Sequence, residues 1–350
     1  MRAEAARGGG ASVSGEASLA AGSAPGITRR RFLALSAATL AGACAGCVAR
    51  RPPEGNTTPT MDAAAFHAAR RYTRTVFGDI AHVERGSGPA ALFLHGFPLN
   101  GFQWRGALDR LAPYRRCIAP DFLGMGYTRV ASGQSCAPDA QVAMLVTLLD
   151  ALHVERADVV ANDSGGAVAQ LLLARHPGRV RSLLLTNCDT EQDSPPPALL
   201  PVIALARQGR FVDDWLGSWR RDHALARSPA GIGGMCYADP AHPTDEAIET
   251  YFAPLLASRR SRELAHAYAI ALARNALAGI GPALARSRVP VRIVWGEADT
   301  IFAARDAGFL DRAFGHSLGV RRLPRHKLFW PEERPDVVVE EAHRLWSGTA

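Results

Sequence analysis

Asp158-Val159-Val160-Ala161-Asn162-Asp163-Ser164-Gly165-Gly166 is the stretch on which the fold turns: an apolar run of strand character ends in a tight turn, and a helix begins. Small residues stand at Ala161, two before Asp163, and at Gly165 and Gly166, two and three after it. That spacing has a physical cause. A sharp strand-to-helix turn pushes its central side chain outward in a strained conformation, so its flanks must be small and the helix must approach closely. The frame puts Asp163 at the tip. A slip of one residue makes Ser164 the tip but leaves Asn162 where a small residue belongs. An ordinary helix N-cap is a third reading, since Asp or Ser before Gly-Gly serves there too.

Outward from this turn the chain alternates. Short β-branched or aliphatic runs occur at 72–76, 80–83, 90–94, 116–119, 157–161, 180–185, 289–295 and 319–323. Helical periodicity marks 140–153, 166–176 and 335–346. Such alternation predicts an α/β fold, a mostly parallel eight-stranded sheet flanked by helices, with an antiparallel lead-in through Phe77, Gly78 and Asp79. Between Cys188 and Arg288 only helical stretches are read, near 199–207, 211–227, 245–256 and 261–278. An insertion of this kind, about 190–287, reads as a helical cap over the strands' carboxyl ends, where open α/β sheets bind ligands. The plainer reading is a subdomain that only adds stability.

The chain has 350 residues, 47% hydrophobic and 21% charged, enough to bury a substantial core. Its formal net charge of +7 is carried almost wholly by Arg, with Lys327 the one lysine. The first sixty residues hold seven Arg against three Glu, so the remainder carries only +3 and has no basic stripe of the kind a nucleic-acid binder needs. Thr28-Arg29-Arg30-Arg31-Phe32-Leu33, followed by a small-residue apolar run and Arg50-Arg51-Pro52-Pro53, resembles a twin-arginine export signal. Residues 1–60 are therefore expected to be a signal and linker, with the export machinery as partner, a tether over 52–64 and residues 61–350 as one large α/β-sized body. The expected location is exported: periplasmic, or membrane-tethered if Cys44 or Cys47 is lipidated. In an oxidising compartment Cys117, Cys136, Cys188 and Cys236 have the chance to pair; the alternative is buried thiols, favoured for Cys117 and Cys188 by their apolar surroundings.

Three further segments complete a constellation. His95-Gly96-Phe97-Pro98 follows the strand at 90–94 and sets the Phe97 N–H beside that of Ser164, two donors for a developing oxyanion, with His95 itself structural. Asp121-Phe-Leu-Gly124-Met-Gly126 is a Gly-rich turn at the same sheet edge, but Arg129 stands where a dinucleotide fingerprint needs its third Gly. Asp299, in Gly296-Glu297-Ala298-Asp299, and His326 are expected at adjacent strand ends. Nucleophile, acid and base then run in the order of an α/β-hydrolase triad.

On these residues the chain from about Arg71 resembles the α/β-hydrolase superfamily, and within it the haloalkane dehalogenase and epoxide hydrolase branch with an Asp nucleophile. The shared features are His95-Gly-Phe-Pro98 with Trp104 downstream, Asp163 at the turn tip, and Asp299 with His326. Some relatives take the acid from the preceding strand end, where Asp189 stands as second choice. The resemblance implies an exported hydrolase acting on a small-molecule substrate, forming an alkyl ester on Asp163 by displacing halide or opening an epoxide. His326, oriented by Asp299, would then activate water while Phe97 and Ser164 hold the oxyanion. No metal or organic cofactor is required.

The leaving group separates the candidates. Resembling dehalogenases often carry Asn or Trp where Phe97 stands and Trp where Ser164 stands. Epoxide opening needs cap phenols, and Tyr237, Tyr251 and Tyr268 fall in the insertion, Tyr268 nearest the position such enzymes use. Trp215 and Trp219, four apart, are candidates with Trp104 and Tyr268 to line the substrate pocket, or else pack the core. Two other classes stay open: a carboxylic-ester hydrolase using Ser164, and a non-catalytic small-molecule receptor on the same fold.

Overall fold

The computed structural model describes residues 60–347. The twin-arginine motif, Cys44, Cys47 and most of the expected tether lie outside the described residues. The end of that tether is no linker. Helix Ala63–Ala69 begins there, capped by the Asp62 carboxylate, which accepts from the Ala65 N–H at 2.7 Å.

Nine strands follow: β1 (Arg70–Thr75), β2 (Gly78–Arg85), β3 (Ala90–Leu94), β4 (Arg116–Pro120), β5 (Arg129–Val130), β6 (Ala157–Asp163), β7 (Val180–Cys188), β8 (Val291–Gly296) and β9 (Ser317–Leu323). They form one sheet in the order β1-β2-β4-β3-β6-β7-β8-β9, with β5 pairing β2 off that path. The ninth strand was not expected because two residues carry no period to read. β2 pairs antiparallel with β1, β4 and β5, and the other pairings are parallel. Every residue of β3 and β6 is buried, as a parallel sheet covered on both faces requires. β4 lies on one side of β3 and β6 on the other, so the strand order reverses at the β3–β6 pair. Loops leaving the carboxyl ends there diverge and open a crevice. Its two walls are the segment after Leu94 and the turn at Asp163.

Between β7 and β8 the described residues hold seven short α-helices, from Leu200–Arg207 to Gly281–Arg286, and one isolated bridge between Thr190 and Asp193. The helix expected over 211–227 is broken. Val212–Leu216 is a π-helical turn, and Asp222 is extended and caps the next segment through the Leu225 N–H at 2.9 Å. The insertion is fastened to the body by buried polar bonds. Asn100 donates to the Thr250 carbonyl at 2.8 Å. Glu332 pairs with Arg105 at 2.7 Å and accepts from the hydroxyls of Tyr237 at 2.8 Å and Tyr251 at 2.9 Å. A charge this deep persists only when paired and hydrogen-bonded.

All four described cysteines, Cys117, Cys136, Cys188 and Cys236, are buried free thiols. Burial pushes Cys117 up to about 12 and Cys136 up to about 11, which keeps both unreactive. No described helix is long and apolar enough to cross a membrane.

Candidate active site

Asp163 closes β6 with φ 56° and ψ −131°, one of two described non-glycine residues with positive φ. A non-glycine backbone there costs on the order of 1–3 kcal/mol and survives only where its surroundings over-determine it. Helix Ser164–Arg175 supplies that constraint. A Cβ on Gly165 would stand 2.6 Å from the carbonyl oxygens of both Leu94 and His95, so the helix can press against the end of β3 only as glycine. The strained turn aims the Asp163 carboxylate across the crevice. Its Oδ2 accepts from the Phe97 N–H at 2.9 Å, and the Ser164 N–H donates to the carboxylate as well. The Ser164 hydroxyl instead shares a hydrogen bond of 3.0 Å with the Tyr268 hydroxyl.

The electrostatics follow from burial. Desolvation pushes the Asp163 carboxyl well above the usual range and the nearby Asp189 charge adds to this, while the Phe97 and Ser164 N–H groups oppose both. Asp189, just beyond β7, is raised to about 7 by burial, with a hydrogen bond from Ser194 pulling the other way. Asp299 is raised to about 6 by burial, opposed by the Ile301 N–H, Asn187 and the Phe302 N–H.

Asp299 stands at the end of β8 as expected. Its Oδ2 accepts from Asn187 Nδ2 at 2.8 Å and its Oδ1 from the Ile301 N–H at 2.8 Å. His326 does not join it. The backbone of His326, not its ring, faces this corner: its carbonyl accepts from the Ala298 N–H at 3.0 Å and packs against Gly296. The imidazole is left among the charges of Glu333, Arg334, Arg325 and Asp336, its pKa lowered by burial, and its Nδ1 is buried with no hydrogen-bond partner among the described residues. The aromatic edge that does approach Asp163 belongs to Phe329. A methyl on Gly96 would meet Phe329 Cε1 at 3.0 Å and Asp163 Oδ2 at 2.8 Å.

His95 is structural, as read. Its Nε2 accepts from the Phe122 N–H at 3.1 Å, which leaves the proton on Nδ1 to donate to the Gly96 carbonyl at 2.9 Å. Burial lowers it to about 4, so it stays neutral. Trp104 is no pocket residue: it is fully buried against Phe93 of β3. Trp215 and Trp219 belong instead to a row of rings that starts at the site. Phe97 stacks on Tyr268 at 5.5 Å and meets Phe211 at 5.5 Å; Phe211 leads to Trp215 at 5.9 Å, and Trp215 to Trp219 at 5.4 Å. Of the three insertion tyrosines, Tyr237 and Tyr251 are committed to Glu332, and Tyr268 reaches the site.

A buried amide relay was not foreseen. The Gly96 N–H donates to Gln103 Oε1 at 2.8 Å, Gln103 Nε2 donates to Asn162 Oδ1 at 2.7 Å, and Asn162 Nδ2 reaches Thr186 Oγ1 at 2.8 Å and the Leu328 carbonyl at 3.1 Å. Asn187 then ties β7 to both Gly296 and Asp299. The relay fixes the loop after β3 relative to the turn. The signal was Asn162 itself, an amide in a strand that is buried along its whole length.

No described cluster of His, Cys, Asp and Glu has the arrangement to hold a metal ion. The family model for the alpha/beta hydrolase fold matches residues 89–332, which span β3 to β9, the insertion and the site. A haloalkane dehalogenase of Mesorhizobium japonicum is 42% identical over 111 residues, 30% of this chain and only 34% of that protein's length. Haloalkane dehalogenase 2 of Mycobacterium bovis is 26% identical over 287 residues, 80% of this chain and 96% of that protein. Among solved structures, haloalkane dehalogenase DbeA of Bradyrhizobium elkani superposes with a TM-score of 0.66 at 23% identity, over 80% of this chain and 98% of that one, a likeness of fold. With the strand order, the turn at Asp163 and the family match in agreement, the chain belongs to the α/β-hydrolase fold family.

Proposed function

We propose that this hydrolase works through a covalent alkyl ester on Asp163, opening an epoxide or cleaving a carbon–halogen bond of a small apolar substrate. One observation carries this: the carboxylate at the strained turn has Oδ2 held by the Phe97 N–H at 2.9 Å, while the Ser164 hydroxyl is turned onto Tyr268. Oδ2 is then the oxygen that remains carbonyl when Oδ1 attacks carbon. The electron pair of the breaking bond leaves with halide or epoxide oxygen. When water later adds to the ester carbonyl, charge grows on Oδ2, already facing its donors. The ester-hydrolase reading through Ser164 has no imidazole on its hydroxyl to support it.

Tyr268 favours the epoxide: a phenol at the site can protonate an alkoxide, which a halide does not need. The similarity to haloalkane dehalogenases favours the halide. Single turnovers of 1,2-epoxyhexane and 1-bromohexane in oxygen-18 water test both. The expected result is heavy oxygen in the Asp163 carboxyl and none in the first-turnover product; label in that product instead overturns the ester. Export rests on Arg29 and Arg30, and cell fractionation of the chain with both changed to Lys tests it, with loss of export expected.

A further inference from the structure

The edge of the sheet away from Asp163 carries a second built feature. Arg156 stands one residue before β6, Val180 and Arg181 open β7, and Val289 and Pro290 lead into β8, three parallel strands whose amino ends lie side by side. β6 runs seven residues from this edge to Asp163, a separation of roughly 20 Å at about 3.3 Å per residue. Two hollows open at this edge, one of about 500 Å³ and one of about 290 Å³, and Arg156 and Arg181 line both. The two side chains are fixed crosswise. Arg156 Nη2 donates to the Val180 carbonyl at 3.2 Å, and Arg181 Nη2 donates to the Arg156 carbonyl at 3.0 Å. Arg181 Nη1 is held at 2.9 Å by Asp158, a fully buried carboxylate that it shares with Arg115.

The larger hollow adds Arg286, the last residue of helix Gly281–Arg286, and Arg288, so that four arginines and no acid line it among the described residues. Arg286 and Arg288 are exposed, and neither side chain has a hydrogen-bond or carboxylate partner among the described residues. The Arg156 guanidinium has only the Val180 carbonyl. The remaining wall is apolar: Leu173 and Ala174 near the end of helix Ser164–Arg175, then Pro177, Ala283, Val289 and Pro290. Like charges gathered over apolar surface repel one another until an anion joins them. In the smaller hollow Arg116 is already paired with Glu84 at 2.7 Å, and Glu155 is the one acid of the lining. Three guanidiniums without a carboxylate, less the charge of Glu155, leave an excess of two positive charges.

We propose that the larger hollow binds a soluble organic phosphate monoester, its dianionic head among Arg156, Arg286 and Arg288 and its apolar body against Leu173, Ala283 and Pro290. A phosphate presents its oxygens to the planar guanidinium fork and brings the two negative charges that this wall lacks. A carboxylate brings one. The hollow is concave, and its volume falls in the range of small-molecule sites, which favours a soluble ligand over a headgroup lying in a membrane surface. Because it lies at the opposite edge of the sheet from Asp163, the inference stands whether or not an ester forms there.

Equilibrium dialysis of the full-length protein against hexyl phosphate and against inorganic phosphate, at about 0.15 M salt, tests this. Hexyl phosphate is expected to bind at least about 10-fold more tightly than inorganic phosphate, a factor that two buried methylenes already supply. A chain carrying both Arg286→Gln and Arg288→Gln should bind hexyl phosphate at least about 10-fold more weakly with its melting temperature unchanged, since neither side chain has a partner to lose. Arg207→Gln, at an exposed arginine of helix Leu200–Arg207, should leave binding as it was. No binding of hexyl phosphate, equal affinity for the two phosphates, or an equal loss in Arg207→Gln overturns the site. Sedimentation with phosphatidylcholine vesicles containing phosphatidic acid separates the two sources of the same head. Co-sedimentation that the double variant abolishes, without binding of hexyl phosphate, overturns the soluble ligand in favour of a membrane.

Discussion

The two halves of the site are built by different means. At the end of β6 the backbone does the aiming: a left-handed Asp163, a helix that only glycine lets approach, and two N–H donors fix the carboxylate whatever rotamers surround it. At the ends of β8 and β9 the aiming is left to side chains. There Asn187 orients Asp299, but the turn carrying His326 presents its carbonyl and sends the ring away. Strand geometry thus fixes the Asp163 carboxylate, and what fills the opposite corner depends on whichever group a loop delivers.

The contrast is most exposed by Asp163→Asn, which should lower turnover by at least about 1000-fold with the melting temperature little changed, against a loss within about 10-fold for Ser164→Ala. Steady-state rates beside melting curves measure both, and a reversal of the two would place the nucleophile one residue later. Next in size is Arg105→Met, which strands Glu332 as a buried charge and should cost about 3–5 kcal/mol in denaturant unfolding. Gly165→Ala tests the backbone half directly: a methyl 2.6 Å from two carbonyl oxygens should cost about 1–3 kcal/mol and lower alkylation with it. The remaining effect is a pH dependence. Because the Asp189 carboxyl is raised to about 7 when folded and ionises near 4 when unfolded, the folded chain binds more protons between those values, and stability declines as pH rises through that window. Asp189→Asn should flatten the decline, so its melting temperature relative to wild type is higher at pH 8 than at pH 5.

What the sequence made legible follows the same division. The Ala161, Gly165 and Gly166 spacing located Asp163 because close helix approach constrains residue size at fixed offsets. The order of strands and the helical insertion were legible from periodicity. β5 was not, being two residues long, nor was the break at Asp222, where a capping side chain outcompetes helix continuation. The pairing of Asp299 with His326 was inferred from strand ends alone, and strand ends say where a Cα lies without saying which way a loop residue turns. Trp104 was misread for a related reason: an aromatic near a motif is as readily core as pocket, and only its contact with Phe93 separates the two. Gln103, Asn162 and Asn187 were invisible as a relay because amides scattered over eighty-five positions show no common pattern until folded together.

The bond from Arg105 to Glu332, with Tyr237 and Tyr251 on the same carboxylate, has a bearing on traffic. Hinging the whole insertion upward like a lid would strip the Tyr237 and Tyr251 hydroxyls from a buried carboxylate and break the Asn100 bond to the Thr250 carbonyl. As long as those bonds hold, the file of rings from Trp215 through Phe211 to Phe97 keeps its place over the turn at Asp163.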